Sequence, residues 1–115
     1  MTILWTFLAV VTSYCLQGTR TASGTIPHFG TVATGPQFAF GTRLLIDGWP
    51  DVVWVVEDRG VPNGLIDIWL PSCRQSWQWG RRSVRVTILG PAAPTAEMAP
   101  GVDVPADDAA VEAEE

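Results

Sequence analysis

Residues 52–70 read VVWVVEDRGVPNGLIDIWL, and this stretch predicts an all-β fold. Its two apolar runs, 52–56 and 65–70, have the length of short strands and are rich in the β-branched and aromatic residues that strands favour. The segment 62–64 between them, Pro-Asn-Gly, is typical of a turn. Because the run 52–56 contains no polar residue, it is typical of a strand that is buried on both faces.

The rest of residues 1–90 repeats this pattern of short strands separated by glycine and proline. The 11 glycines, 9 prolines and 6 tryptophans in a chain of 115 residues disfavour a helical bundle. Six strands are predicted, over residues 3–14, 30–34, 43–46, 52–57, 65–70 and 83–89. Six short strands without long helices between them predict a small closed or nearly closed barrel.

One short helix is predicted over residues 73–79. Ser72 precedes it as a candidate N-cap, and Gln75 stands at the third helical position, which completes a capping box. Gly80 follows the last helical residue and is suited to the left-handed conformation that ends many helices. The helix would therefore be defined at both ends by local sequence.

The charged residues divide the chain into two parts. Of its 12 acidic residues, 7 fall in residues 91–115, which hold no basic residue, so residues 1–90 carry 5 acids against 7 arginines. The segment 91–115 consists largely of Ala, Pro, Asp and Glu and is predicted to be a disordered acidic tail. Residues 1–90 are predicted to form the single domain, and their weak positive charge does not support nucleic-acid binding.

Several classes of protein are disfavoured by what the sequence lacks. No apolar run approaches the roughly 18 residues of a membrane span, and residues 3–11 are better interpreted as the first strand than as a signal peptide, because no basic region precedes them. The sequence contains one histidine, His28, and no nearby partner is evident for it. One histidine and two distant cysteines argue against a metal site, and no motif indicates a cofactor.

Cys15 and Cys73 are the only cysteines in the sequence. An even number in a small β domain allows a disulfide, and two buried free thiols account for the count equally well. The sequence leaves these alternatives open.

Asp67 is the residue that most strongly suggests chemistry. Alternation along its strand sends Ile66 and Ile68 to one face and places Asp67 on the other, beside Trp69. A carboxyl group near apolar and aromatic side chains has a raised pKa, which suits a general acid. Asp58, at the end of the preceding strand, could form a carboxylate pair with it. The structural alternative, an aspartate paired with an arginine or bonded to turn amides, is favoured when the spacing alone is considered.

Several segments together resemble the three-aspartate (3D) domain family, which is similar to the C-terminal barrel of membrane-bound lytic transglycosylase A. The similarity runs in order over about residues 10–90. It rests on Tyr14-Cys15 and on segments 21–24 (TASG), 32–33 (VA), 40–42 (FGT), 56–60 (VEDRG), 63–69 (NGLIDIW) and 79–84 (WGRRSV).

This resemblance implies a six-stranded double-psi β-barrel that acts on peptidoglycan glycan strands without a cofactor. Asp67 corresponds to the catalytic acid/base and Asp58 to an aspartate beside it in the groove. The implied reaction cleaves the bond between N-acetylmuramic acid and N-acetylglucosamine and closes a 1,6-anhydro ring. Tyr14, Thr21 and Ser23 match a segment near the groove and are candidate substrate-binding or positioning groups. Apart from the resemblance, candidates for stacking on sugar rings are Trp69, Trp49, Trp77 and Trp79, of which at most one or two are expected in the groove, because most tryptophans in small β domains belong to the core.

The sequence departs from the family pattern at two positions. Thr34 stands where the first of the three aspartates is expected, and Arg59 replaces the threonine that usually follows the second. Thr34 can form hydrogen bonds but carries no charge. The Arg59 guanidinium is expected to hold Asp58 ionised and to contact carboxylates of the substrate.

Three functions remain open after the sequence analysis. The first is a lytic transglycosylase or a related glycoside hydrolase, and the second is a non-catalytic module that binds the cell wall. The third is a phage accessory protein built on the same barrel. All three imply a location outside the cell or facing the wall, and the oligomeric state is open. Asp67 and Asp58 on one open groove would favour catalysis, whereas Asp67 sealed by Arg59 or covered by Trp69 would favour binding.

Overall fold

Residues 5–91 are described by a computed structural model, in which they form six strands and one helix. The elements are β1 (Trp5–Tyr14), β2 (Thr31–Ala33), β3 (Arg43–Ile46), β4 (Trp54–Asp58), β5 (Leu65–Trp69), α1 (Cys73–Trp79) and β6 (Arg82–Gly90). All six predicted strands and the predicted helix are confirmed, with small differences at their ends. The predicted disordered tail lies outside the described residues, apart from residue 91.

The six strands close into a barrel in the order β1-β5-β2-β4-β3-β6. β1 closes it, because it pairs in parallel with β5 on one side and antiparallel with β6 on the other. β2 also pairs in parallel with β4 and antiparallel with β5. The predicted all-β closed barrel is therefore confirmed, and a double-psi-like barrel is compatible with this topology.

The core fills the barrel with alternate residues of the strands. Val11, Leu44, Trp54, Val56 and Ile68 are fully buried there with other aliphatic side chains. Because a strand directs successive side chains to opposite faces, each core residue has an outward-facing neighbour. These outward positions on β1, β5 and β4 carry the candidate site.

The prediction that residues 52–56 are buried on both faces is wrong. Val53 is 48% exposed, and within β4 only Trp54 and Val56 are buried. The strand lies in the wall of a small barrel that has a core on one side only, so its outward positions face solvent or loops. Valine on the outer face still suits a strand because its branched side chain fits the pleated surface.

The ends of α1 follow the local sequence. The Ser72 hydroxyl accepts a hydrogen bond from the backbone N–H of Gln75 at 3.1 Å, which satisfies one of the unpaired N–H groups of the first turn. Gly80 adopts a φ of 67° and donates its N–H to the carbonyl of Ser76 at 3.0 Å. No helix within residues 5–91 has the length and apolar character needed to cross a membrane.

Cys15 and Cys73 form a disulfide that links the end of β1 to the start of α1. The sequence had left this pairing open. The bridge spans 58 positions of the chain and so closes a long loop. The Ser13 hydroxyl also contacts the Ser76 hydroxyl at 2.6 Å, so the helix is attached to β1 by polar contacts beside the bridge.

We expect the double substitution Cys15→Ser/Cys73→Ser to lower the free energy of unfolding by about 4 kcal/mol, because the unfolded chain would regain the entropy of an open loop of that length. Urea denaturation of the oxidised protein and of the variant measures this difference. A reducing agent should destabilise the wild type and leave the variant unchanged. Equal stability of the two oxidised proteins would contradict the prediction.

Candidate active site

Asp67 lies on the outer face of the barrel, at the centre of β5. Its neighbours Ile66 and Ile68 are buried in the core, as alternation predicted, and the Asp67 side chain is half-buried. Asp67 is the register partner of Thr12 in the parallel β1–β5 pair, and the Thr12 hydroxyl donates a 2.9 Å hydrogen bond to Oδ1 of Asp67.

The surroundings of Asp67 favour its protonated form. Burial is the main cause that raises its pKa above the ordinary value, the hydrogen bond from Thr12 lowers it, and the charge of Asp58 raises it again. The pKa of Asp67 is raised overall. A carboxyl group in this situation holds a proton at higher pH than an exposed one, which is the property required of a general acid.

A shift in the β2–β4 register brings Asp58 to the same face. Val32 pairs with Val56, but the next residue, Ala33, pairs with Asp58, so Glu57 is an extra residue in β4. Strict alternation would direct Asp58 to the core side, together with Val56. The extra residue instead places Asp58 opposite Ala33, as β-bulges next to functional sites often do.

Ala33 lies between the two aspartates. It pairs with Asp58 across one edge of β2 and with Asp67 across the other. Because neighbouring strands are about 4.8 Å apart, the two aspartates stand two strand spacings from each other. The Ala33 side chain is itself only 2% exposed, so the two aspartates flank a buried position of β2.

Three donors hold the Asp58 carboxyl group. The Tyr14 hydroxyl donates to Oδ2 at 2.9 Å, and the backbone N–H groups of Ala22 and Arg59 both donate to Oδ1 at 2.9 Å. Burial, followed by the hydrogen bond to Asp58, raises the pKa of Tyr14 far above its ordinary value. The phenol therefore stays protonated and serves as a permanent donor to Asp58.

The Arg59 guanidinium does not contact the Asp58 carboxyl group, contrary to the expectation from its charge. It lies 4.0 Å from the centre of the Phe40 ring and contacts the backbone carbonyl of Asp58 at 3.4 Å. Within residues 5–91 it forms no ion pair with a carboxylate. The backbone N–H of Arg59, and not its charge, contacts the Asp58 carboxyl group. Arg59 does not seal Asp67, whose side chain accepts its hydrogen bond from Thr12.

The other predicted site residues are divided between the surface and the interior. Thr34 is fully buried, and its hydroxyl donates to the carbonyl of Gly35 at 2.8 Å, so it faces no groove. Thr21 is also buried and contacts the Thr25 hydroxyl at 2.7 Å within the loop. Ser23 is exposed in that loop, and its backbone N–H donates to the carbonyl of Glu57.

Trp69 is 7% exposed and lies on the same face of β5 as Asp67, two residues further along. Its indole N–H donates to the carbonyl of Leu16 at 2.9 Å, so the ring is held under the loop that follows β1. Trp77, which is 81% exposed on α1, is by contrast open to solvent.

A second polar cluster beside the site was missed by the sequence analysis. Oε1 of Glu57 lies 3.2 Å from Nε2 of His28 and accepts hydrogen bonds from the hydroxyls of Thr31 and Thr25. His28 therefore has a partner after all. No local pattern indicates this contact, because 29 positions of the chain separate the two residues.

This cluster holds the loop before β2 against β4. The hydrogen bond to Glu57 raises the pKa of His28, although burial opposes the effect. Burial raises the pKa of Glu57, but its hydrogen bonds, first from His28, outweigh burial and lower the pKa overall. Since Ala22 in the same loop contacts Asp58, the cluster supports the position of a site residue.

We expect the contribution of this pair to stability to depend on pH. The pKa of His28 is raised in the folded protein. Its contribution to the free energy of unfolding is therefore complete below its ordinary pKa of 6.5 and disappears as the pH rises through its pKa in the folded protein. Because the folded pKa of Glu57 is lowered, its contribution is present above 4.5 and disappears as the pH falls through the folded value.

Urea denaturation of the wild type and of His28→Gln tests this at about pH 5.5 and about pH 9, on either side of the ordinary pKa of histidine. At the lower pH, the wild type should have a larger free energy of unfolding than His28→Gln. At the higher pH, the difference between the two free energies should be smaller. A difference that does not change with pH would show that the imidazole contributes through packing alone.

Residues 5–91 place no group of three or more His, Cys, Asp or Glu side chains where they could hold a metal ion. Comparisons of the chain with models of known protein families, with curated proteins and with solved structures give no match. The functional interpretation therefore rests on the resemblance of the motifs and on the geometry of the site.

Proposed function

We propose that this protein cleaves the glycan strands of peptidoglycan as a lytic transglycosylase, with Asp67 as its acid/base. The observation that carries this proposal is the half-buried Asp67, with its raised pKa, on one face of the barrel with Asp58. The similarity of the motifs to the 3D domain family points to the same substrate and to a double-psi barrel.

The reaction needs a single carboxyl group that acts twice. Protonated Asp67 donates its proton to the oxygen between N-acetylmuramic acid and N-acetylglucosamine as the bond from that oxygen to C1 of the muramic acid breaks. The Asp67 carboxylate then removes the proton of the C6 hydroxyl, whose oxygen bonds to C1 and closes the 1,6-anhydro ring. Asp67 ends protonated, and no water is consumed.

Asp58 supports this cycle electrostatically. Its carboxyl group is fixed by Tyr14 and by two backbone N–H groups, so it is not free to turn towards Asp67. A fixed negative charge near the sugar stabilises the positive charge that develops at C1 as the glycosidic bond breaks. The same charge raises the pKa of Asp67 and helps to keep the acid loaded with its proton.

The disulfide is compatible with a protein that acts on the wall. Structural disulfides persist in oxidising compartments outside the cytoplasm, where peptidoglycan is found. We infer a location outside the cell or facing the wall, for a bacterial or a phage protein.

The substitution Asp67→Asn should abolish release of soluble muropeptides from purified sacculi, with a loss of roughly 10²–10⁴-fold, because it removes the proton donor. Mass spectrometry of the soluble products measures the release. Anhydro-muropeptides made by the wild type alone support the transglycosylase, whereas products with reducing ends would convert the proposal to a glycoside hydrolase.

The control for this experiment is the stability of the variant. A carboxyl group with a raised folded pKa destabilises the folded state at neutral pH, so Asp67→Asn should be at least as stable as the wild type. Loss of activity in a stable variant would therefore reflect lost chemistry. If the wild type releases nothing but still sediments with sacculi, the protein is a cell-wall-binding module, the alternative that the buried Thr34 at a family aspartate position favours.

Thr12 should set the pH range of the reaction. Its hydrogen bond lowers the pKa of Asp67, so Thr12→Val should raise that pKa further and move the alkaline limb of the pH–rate profile to higher pH. Thr12→Ser keeps the hydroxyl and should retain the wild-type profile. A profile that is the same in all three proteins would contradict the role of Asp67 as the acid.

A further inference from the structure

A concave site, whose lining residues do not include Asp58 or Asp67, lies at the end of β5. It is a cavity of about 270 Å³ between Trp69 and the loop that connects β1 to β2. Its lining includes Leu16, Thr19, Arg20, Ile26, Pro27 and Trp69. Of these residues, only Trp69 was a candidate on sequence grounds.

Trp69 connects the cavity to the candidate active site. Asp67 and Trp69 point to the same face of β5 and are two residues apart, a distance of about 7 Å along a strand. The same spacing separates Thr12 from Tyr14 on the neighbouring strand, where Tyr14 pairs with Trp69. The distance from Trp69 to Asp67 along β5 is thus comparable to the length of a sugar unit and its substituent.

Part of the cavity wall is apolar, and Gln17, Thr19 and Arg20 add polar groups to it. The indole N–H of Trp69 is bonded to the carbonyl of Leu16, so this N–H is not free to bind a ligand in the cavity. Leu16 and Ile26 are largely exposed on the loop, although aliphatic side chains are usually buried. Together with Pro27, they can cover a small aliphatic group such as a methyl.

Arg20 gives the cavity a positive charge. It is the only charged residue in the lining, and no carboxylate within residues 5–91 pairs with it. One N–H of its guanidinium donates to the carbonyl of Gly24 at 3.0 Å, which orients the group within the loop. A guanidinium has five N–H donors and binds a carboxylate in a planar, paired geometry. The cavity thus selects a negative ligand, although the adjoining site carries acidic groups.

We propose that this cavity is a subsite for the lactyl-peptide substituent of N-acetylmuramic acid, with its methyl groups against Trp69 and a peptide carboxylate on Arg20. The identity of the ligand rests on the proposed function, whereas the chemistry, a carboxylate beside small aliphatic groups, follows from the cavity itself. Arg20 and Trp69 would then align the muramic acid unit so that its glycosidic oxygen meets Asp67.

The test uses the full wild-type chain, because the ligand contains no glycosidic bond to a second sugar and so cannot be cleaved by the proposed reaction. N-acetylmuramyl-L-alanyl-D-isoglutamine is titrated into the ¹⁵N-labelled protein, and amide and indole N–H resonances are followed by NMR. We expect the indole N–H of Trp69 and the backbone N–H groups of Gly18 and Arg20 to shift. Arg20→Gln should weaken binding about tenfold, the loss that corresponds to one charge-assisted hydrogen bond.

Two matched controls isolate the charge. Arg85→Gln removes an exposed arginine on β6 whose partner is Asp47, and it should leave binding unchanged. The methyl ester of the ligand lacks the carboxylate. Its affinity for the protein that retains Arg20 should be as low as the affinity of the free acid for Arg20→Gln. Equal binding of acid and ester, or shifts elsewhere on the barrel, would overturn the subsite.

The same experiments separate this subsite from the proposed activity. If the wild type releases anhydro-muropeptides from sacculi but the muramyl peptide does not shift the cavity resonances, the subsite is wrong and the activity stands. If the muramyl peptide binds in an Arg20-dependent way but sacculi are not cleaved, the subsite stands and the protein binds glycan without cleaving it.

Discussion

The pairing of β2 with β4 shifts by one residue between Val32 and Ala33, and the position of Asp58 depends on this shift. Without it, the alternation of β4 would direct Asp58 towards the core side, where an unpaired carboxylate is strongly disfavoured. With it, Asp58 reaches three donors on the outer face, beside Glu57, which contacts His28. One extra residue in a strand therefore lets two consecutive acidic residues of β4 make their contacts on the outer face.

The two aspartates differ because their surroundings differ. Asp58 receives three hydrogen bonds, two of them from the backbone, and is held in place. Asp67 receives one, from a threonine, and is otherwise affected mainly by burial and by the charge of Asp58. Two carboxyl groups in unlike environments are the arrangement in which one carries the proton and the other the charge. This difference supports assigning the acid role to Asp67.

The loop between β1 and β2 contributes to both the proposed active site and the proposed subsite. The disulfide anchors its beginning to α1, the indole of Trp69 holds Leu16, and the loop then supplies Arg20 to the cavity and the N–H of Ala22 to Asp58. The pair of His28 and Glu57 holds its end. Because the loop contributes to both the cavity and the carboxylate site, a change in the conformation of the loop would affect both.

Local sequence determined the six strands, the helix with its Ser72 cap and the outward position of Asp67, because alternation and capping depend on residues only a few positions apart. Tertiary structure alone decided that Thr12 meets Asp67, that His28 meets Glu57, that the Arg59 guanidinium lies over Phe40, and that Thr34 is buried. These contacts depend on the register between strands and on a bulge, which arise from pairing across many positions of the chain. The disulfide belongs to the second group, since two cysteines in a sequence do not reveal their separation in space.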